Sequence, residues 1–242
     1  MEFEETLRVI EITEETPDVK TYTLEKGKVD FIPGQYALIS LPDLEQVREE
    51  ERPFTFACSP ARNYVALTIK KTGFFTGIIH KQIRKGNSLR LRGPFGESLN
   101  IDMAAKRIAL IAGGSGITPF KSMIDYVLDK QLNMEVCLFF SNRTEEDIIY
   151  RKQFDKILQE NIKIVCTLTN EKPEGWKGEL GFINAEMIQR HLEKPREWLY
   201  YFCGPPPMIS AVKQSLIGIG ITEDRFRIED WMVPGKHDKT NA

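Results

Sequence analysis

Residues 108–120 read IALIAGGSGITPF. An apolar run stops abruptly at Gly113-Gly114-Ser115-Gly116, and Thr118-Pro119 then opens a helical pattern. Glycines let a ligand come close to the backbone, and a helix start presents N–H groups to an anion. Pro119 suits a first helical turn and Thr118 can cap it. A mononucleotide or dinucleotide is the natural guest of such a strand–turn–helix junction. Many strands also turn into helices through glycines and bind nothing, so other motifs must decide.

A second junction lies at residues 203–208, CGPPPM, after another apolar run and before another helical pattern. Three consecutive prolines suit neither a strand nor a helix interior and predict a rigid turn. In a parallel sheet that turn falls at the carboxyl edge, where ligands bind. The front half carries Arg52-Pro53-Phe54-Thr55 and, further on, the run TGFFTG at 72–77. Arg52 offers a fork of donors suited to phosphate, and Phe54 is a stacking platform. Gly73 through Thr76 can wrap an anion with N–H groups, Thr76 capping a helix predicted at 77–83. The structural alternatives are an ion pair between Arg52 and the acids at 49–51, and a core role for Phe54.

These motifs need elements to hold them. Short β-branched or alternating runs at 7–12, 20–24, 36–41, 55–58, 64–70 and 88–92 are separated by turn residues, which predicts a small antiparallel β-barrel. Residues 45–51 read as a solvated loop or short helix. After Met103 apolar strands at 107–112, 135–140, 162–168 and 198–203 alternate with amphipathic stretches at 119–129, 145–159, 184–191 and 208–217. That alternation predicts a parallel sheet with helices on both faces. The predicted domains are 1–100 and 101–233, followed by a polar tail at 234–242.

The chain has 242 residues, 33 Lys and Arg against 35 Asp and Glu, and a formal net charge of −2. Nothing in that balance points to nucleic acid or an anionic membrane. No run approaches the ~18 apolar residues of a membrane span. The acidic, strand-like N-terminus is no signal peptide, which predicts a cytoplasmic protein. Cys58, Cys137, Cys166 and Cys203 are scattered, outside zinc and iron–sulfur spacings, so no metal is predicted. Cys137 and Cys166 read as small buried thiols. His80, His191 and His237 join no constellation.

In order and spacing these motifs resemble the ferredoxin–NADP reductase superfamily of flavin oxidoreductases, over nearly the whole chain. RPFT is similar to its flavin motif, TGFFTG to its pyrophosphate motif, and GPFG at 93–96 and PGQY at 33–36 to its barrel turns. GGSGITP and CGPPPM resemble its two nicotinamide-side signatures. The resemblance implies a β + α/β fold: an N-terminal antiparallel β-barrel holding FAD, then a Rossmann-like domain receiving NADH or NADPH.

By the same resemblance Arg52 and Pro53 belong to the FAD site, with Arg52 on the pyrophosphate. Phe54 stacks on the isoalloxazine and the Thr55 hydroxyl lies near flavin N5. Ile69 and Lys70 border the flavin, while Gly73, Phe74, Phe75 and Thr76 cradle phosphates. Gly114, Ser115, Gly116 and Thr118 meet the nicotinamide nucleotide, and Cys203, Gly204 and Pro205 lie beside its ring. In the stretch RFRIEDW at 225–231, Glu229 approaches the nicotinamide and Trp231 covers the flavin. Thr55, Cys203 and Glu229 are then the catalytic candidates. Phe54 stands where a tyrosine is usual, which keeps stacking and loses a hydroxyl. Asp230 separates Glu229 from Trp231, unlike the family pattern.

Arg143 and Asn170 follow two strands at the edge where the second ribose is read. Asn170 is followed by Glu171, which repels a 2′-phosphate and suits ribose hydroxyls, so NADH is favoured over NADPH. Arg143 pulls the other way. Without a cysteine set for a fused iron–sulfur domain, a stand-alone reductase is expected. Its electrons pass to a separate acceptor: a ferredoxin-like protein, an oxygenase component or a small molecule. Reduction of free flavin, or service as an electron-transfer subunit of a larger redox complex, remain alternatives.

Overall fold

The computed structural model describes residues 2–228, which fall into two compact units. The first comprises the described residues up to Ile101, Thr118–Leu132 and Ile149–Arg151; the second comprises Asp102–Ile117, Asn133–Ile148 and the described residues from Lys152 onward.

Six antiparallel strands build the first unit: β1 (Phe3–Thr16), β2 (Val19–Glu25), β3 (Tyr36–Ser40), β4 (Arg52–Thr55), β5 (Tyr64–Lys70) and β6 (Ser88–Phe95). Their order is β4-β3-β6-β1-β2-β5. A bridge between Phe56 and Leu67 brings the two end strands together, so the sheet nearly closes into a barrel. Inside it Phe31 stacks on Phe56 with ring centroids 4.0 Å apart. β1 is longer than the predicted 7–12 because it pairs with β6 through Phe3–Arg8 and with β2 beyond Val9. Its exposed acids, such as Glu4 paired with Arg90, disguise the ends in sequence. β4 lies earlier than predicted. Residues 52–55 pair with β3, and the apolar stretch after them crosses to β5. Pro53 is tolerated there because β4 is an end strand.

The predicted helix at 77–83 is instead α1 (Phe74–Gln82), starting three residues earlier. Thr76 is therefore inside its first turn. Its hydroxyl accepts the N–H groups of Thr72 at 2.9 Å and Gly73 at 3.0 Å, capping from within. The barrel turns are tied by Gln35, whose amide donates to the Gly96 carbonyl at 3.1 Å and accepts the Ile32 N–H at 2.8 Å. The helix α2 (Thr118–Asp129) also belongs to this unit.

The second unit is a parallel sheet of β7 (Arg107–Gly113), β8 (Glu135–Asn142), β9 (Ile162–Leu168), β10 (Glu179–Leu180), β11 (Leu199–Cys203) and β12 (Phe226–Ile228). Its order is β10-β9-β8-β7-β11-β12. Alternate residues Ala109, Ile111, Cys137, Phe139, Tyr200 and Phe202 form one core face. Against it pack Met187 and Ile188 of α4 (Ala185–His191) and Ile209, Val212 and Leu216 of α5 (Pro206–Gly218). Asn184 caps α4, its side chain accepting the Met187 N–H at 2.8 Å.

Two predicted elements differ. The helix expected at 145–159 is a 3-10 turn at Glu145–Asp147 and a short α3 (Arg151–Phe154). Between them Ile149 and Tyr150 are buried in the first unit, and Tyr150 takes a left-handed φ of 62° that no helix continues through. The second difference is the triple proline. Pro205 precedes α5, but Pro206 and Pro207 are its first residues. A first helical turn has no use for their missing N–H groups.

Strands β7 and β11 are neighbours, with Ala112 opposite Cys203. Their turns leave the same carboxyl edge, where the strand order reverses. A Cβ on Gly116 would stand 2.2 Å from the Cys203 carbonyl oxygen and 2.7 Å from the Gly204 nitrogen. Gly116→Ala is expected to destabilise the protein by about 2–4 kcal/mol in urea unfolding. Gly77→Ala, in α1 with nothing within 4 Å of the new methyl, should be neutral or stabilising by up to about 1 kcal/mol without ligand.

Glu179 accepts from Arg190 at 2.8 Å and lies 2.7 Å from His191 Nε2. The Arg190 hydrogen bond, with His191 adding to it, holds its carboxyl below the ordinary value of 4.5. A lowered carboxyl pKa stabilises the fold above that value and ceases to as pH falls through the folded value. Between about pH 5 and pH 3 the wild-type melting temperature should therefore fall more steeply than that of Glu179→Gln.

Candidate functional site

In the first unit Arg52, Phe54 and Phe75, three of the residues predicted for the flavin, come together at the N-terminus of α1. Arg52 projects from β4 with its side chain half exposed, donating to the Glu51 carbonyl at 3.0 Å and pairing with Glu50. Its guanidinium carbon lies 5.7 Å from the Phe75 ring centroid. Phe75 in turn stacks on Phe54, centroids 6.4 Å apart and planes 19° from parallel. Phe75 is buried, Phe54 and Thr55 are half buried, and Phe74 is 68% exposed. The result is an arginine over an aromatic pair beside a helix start. The first-turn N–H groups of Phe74, Phe75 and Thr76 have no acceptor within the helix.

The Arg52–Glu50 pair is exposed, and such pairs contribute little. A phosphate can displace Glu50 at small cost. A side chain at Gly73 would meet nothing within 4 Å, so space stands open before the helix. Ile69 is buried and its carbonyl takes a hydrogen bond from His80 Nε2 at 2.8 Å, while Lys70 reaches the Asp18 carboxylate at 3.2 Å. His80 thus ties α1 to the end of β5. Sequence gave one hint of it, its position four residues after Thr76 on the same helical face.

In the second unit Gly114, Ser115 and Gly116 form a 3-10 turn running directly into α2. The glycines have different tasks. A Cβ on Gly116 would run into the Cys203–Gly204 backbone, so packing requires a glycine there. Gly114 has φ +54° and nothing within 4 Å of a built Cβ, so here a ligand can reach the backbone. Ser115 is exposed beside it, whereas Thr118 is buried in α2. Cys203 and Gly204 are buried, and Pro205 is exposed above them.

Arg143 and Asn170 are also brought together. The Thr169 N–H donates to the Asn142 carbonyl and the Asn170 N–H to the Arg143 carbonyl, both at 3.0 Å. Asn170 and Arg143 are exposed, and the Glu171 carboxylate accepts the Glu145 N–H. This partner of Glu171 is not visible in sequence, because the two residues lie on loops after different strands. Glu229 and Trp231 lie outside the described residues.

The four cysteines form no disulfide. Burial pushes Cys58 up to about 11 and Cys137 up to about 12, so both stay protonated thiols. Cys166, expected to be buried, is half exposed. Among the described residues no group of His, Cys, Asp or Glu is arranged to hold a metal, and no helix is long and apolar enough to cross a membrane.

The oxidoreductase NAD-binding domain family matches residues 110–214, the stretch running from β7 to α5. A glycine betaine monooxygenase reductase subunit of Chromohalobacter salexigens is 29% identical over 93% of this chain. The chain spans 63% of that relative's length. NADH-cytochrome b5 reductase 1 of Aspergillus terreus is 32% identical over 81% of the chain and 71% of its own length. Among solved structures, a ferredoxin reductase in carbazole 1,9a-dioxygenase superposes with a TM-score of 0.79 at 25% identity, covering 94% of this chain and 69% of the other. With likeness of sequence and fold running through both the barrel and the parallel sheet, the chain belongs to the ferredoxin–NADP reductase superfamily.

Proposed function

We propose that this chain is an NAD(P)H-dependent flavoprotein reductase that takes hydride from NADH, in preference to NADPH, onto FAD. Its electrons then pass to a separate acceptor, a ferredoxin-like protein or an oxygenase component. The observation that carries this reading is the pair of turns at the switch point of the parallel sheet. One of them leaves open backbone at Gly114, and the other ends in a buried cysteine and a fixed proline.

FAD, when bound, supplies the conversion between two-electron and one-electron chemistry that no side chain here provides. The chain's residues bind and orient. Arg52 and the first-turn N–H groups of α1 suit the pyrophosphate, and Phe54 offers a half-buried ring for stacking. Thr55 offers a hydroxyl at the end of β4, and His80 steadies Ile69 beside it in the barrel wall. Gly114 and Ser115 present backbone to the nicotinamide nucleotide, with Cys203, Gly204 and Pro205 limiting the movement of its ring.

The preference for NADH is supported by Glu171, held on the Glu145 amide as a fixed negative charge next to Asn170. That charge disfavours a 2′-phosphate. The NADH of the named cytochrome b5 reductase relative points the same way. A separate protein acceptor is supported by the named relative that is a reductase subunit of a monooxygenase. A cytoplasmic location is supported by four cysteines with no disulfide.

The purified chain, titrated anaerobically, should lose its flavin absorption at lower NADH than NADPH. Bleaching by neither nucleotide would overturn the reading, and turnover only with free flavin would replace the protein acceptor. Arg52→Ala should weaken FAD binding by about 10- to 100-fold, the loss of a charge-assisted phosphate contact, with little change in apoprotein melting temperature.

A further inference from the structure

Strand β5 is fixed by its ladder with β2, which runs as far as Lys70 opposite Val19. The Lys71 N–H extends it by one residue, donating to the Asp18 carbonyl at 2.8 Å, and the Lys70 ammonium meets the Asp18 carboxylate. The helix that follows, α1, belongs to no ladder. Phe75, Ile78 and Ile79 bury its apolar face. Such contacts hold a helix down, but they are non-directional and leave its slide and rotation loosely set.

Directional ties fix what apolar contacts leave free. His80 Nε2 lies 2.8 Å from the Ile69 carbonyl oxygen. A carbonyl only accepts, so Nε2 carries the proton of that hydrogen bond. The fully buried Tyr22 ring stands edge-on to the imidazole with centroids 6.3 Å apart, and its hydroxyl donates to the Ile79 carbonyl at 3.4 Å. One turn nearer the helix start, about 6 Å along the axis, stands Thr76. Its hydroxyl takes the N–H groups of Thr72 and Gly73 and donates to the Gly73 carbonyl at 3.1 Å. Thr76 thus ties the start of α1 to the chain just before it. His80, four residues on and on the same helical face, ties α1 to the end of the strand.

We propose that His80 is a positioning residue for FAD, setting where the N–H groups of the first turn of α1 stand relative to the end of β5. The family resemblance puts Ile69 and Lys70 beside the isoalloxazine and residues 73–76 around the pyrophosphate, so one FAD molecule must reach both places. Holding them at a fixed spacing before the cofactor arrives removes part of the ordering cost of binding. The inference rests on the FAD reading above and deepens it, naming a residue that acts through the Ile69 carbonyl.

The test uses the whole chain, freed of flavin and titrated. His80→Phe keeps a ring against Tyr22 and loses the N–H. FAD binding, followed by flavin fluorescence, should weaken about tenfold in this variant. Riboflavin, which lacks the pyrophosphate and has no need of the helix start, should weaken less than about twofold. His80→Gln, which brings an amide N–H toward the same carbonyl, should restore FAD binding to within about threefold of wild type. In the flavin-free chain, hydrogen exchange at residues 72–76 should quicken in His80→Phe and stay unchanged in β1 and β6. Equal weakening of FAD and riboflavin, FAD affinity within about twofold of wild type, or no recovery in His80→Gln would overturn the proposal. If His80→Phe does not fold, His80→Met, of similar reach and without an N–H, decides by the same pair of ligands. If the wild type binds neither FAD nor riboflavin, the cofactor reading fails by itself, and hydrogen exchange in the flavin-free chain then judges the seating of α1.

Discussion

Between the backbone of Gly116 and the carbonyl of Cys203 there is no room for a carbon atom. Much else in the second unit depends on that contact. It binds together the turns after β7 and β11, the two strands between which the order of the sheet reverses. Packed turns at such a place cannot drift independently, so the carboxyl edge of the sheet is preformed there. The contact also separates the tasks of neighbouring residues. Gly116 is consumed by packing and leaves Gly114 open, while Pro205 fixes the exit of the chain from β11 before α5 begins.

The polar interactions of the first unit divide by burial into two kinds. Arg52 and Glu50 meet in the open, where a pair is weak and an incoming anion can take the place of the carboxylate. Lys121 and Asp125 meet with side chains 6% exposed, and removing Asp125 would leave the buried Lys121 ammonium without that carboxylate. The first arrangement suits a group that must exchange partners for a ligand. The second suits a group that must never let go. Their contrast separates an exchangeable surface pair from a fixed internal one within one barrel unit.

Much of the fold was legible in the residues. β5 and β9 stand where alternation and β-branching put them, because their register is set by side chains within the strand itself. β4 did not, because the apolar stretch that follows it looks like a better strand and was instead taken up by β5. The helix expected across 145–159 failed for a tertiary reason, the withdrawal of Ile149 and Tyr150 into the first unit. His80 belongs to no motif of the sequence, yet it holds the Ile69 carbonyl.

The sequence by itself determined the kinds of element, their order, and the turns at which chemistry was to be sought. Periodicity, glycine and proline act over a few residues and are visible there. Only the tertiary structure decided which glycine packs and which stays open, that Glu171 is spent on the Glu145 amide, and that Lys121 lies between Asp125 and the ring of Tyr150. Each of those outcomes joins groups that are distant along the chain or set by close packing. The space and partners left to a side chain are properties of the folded whole.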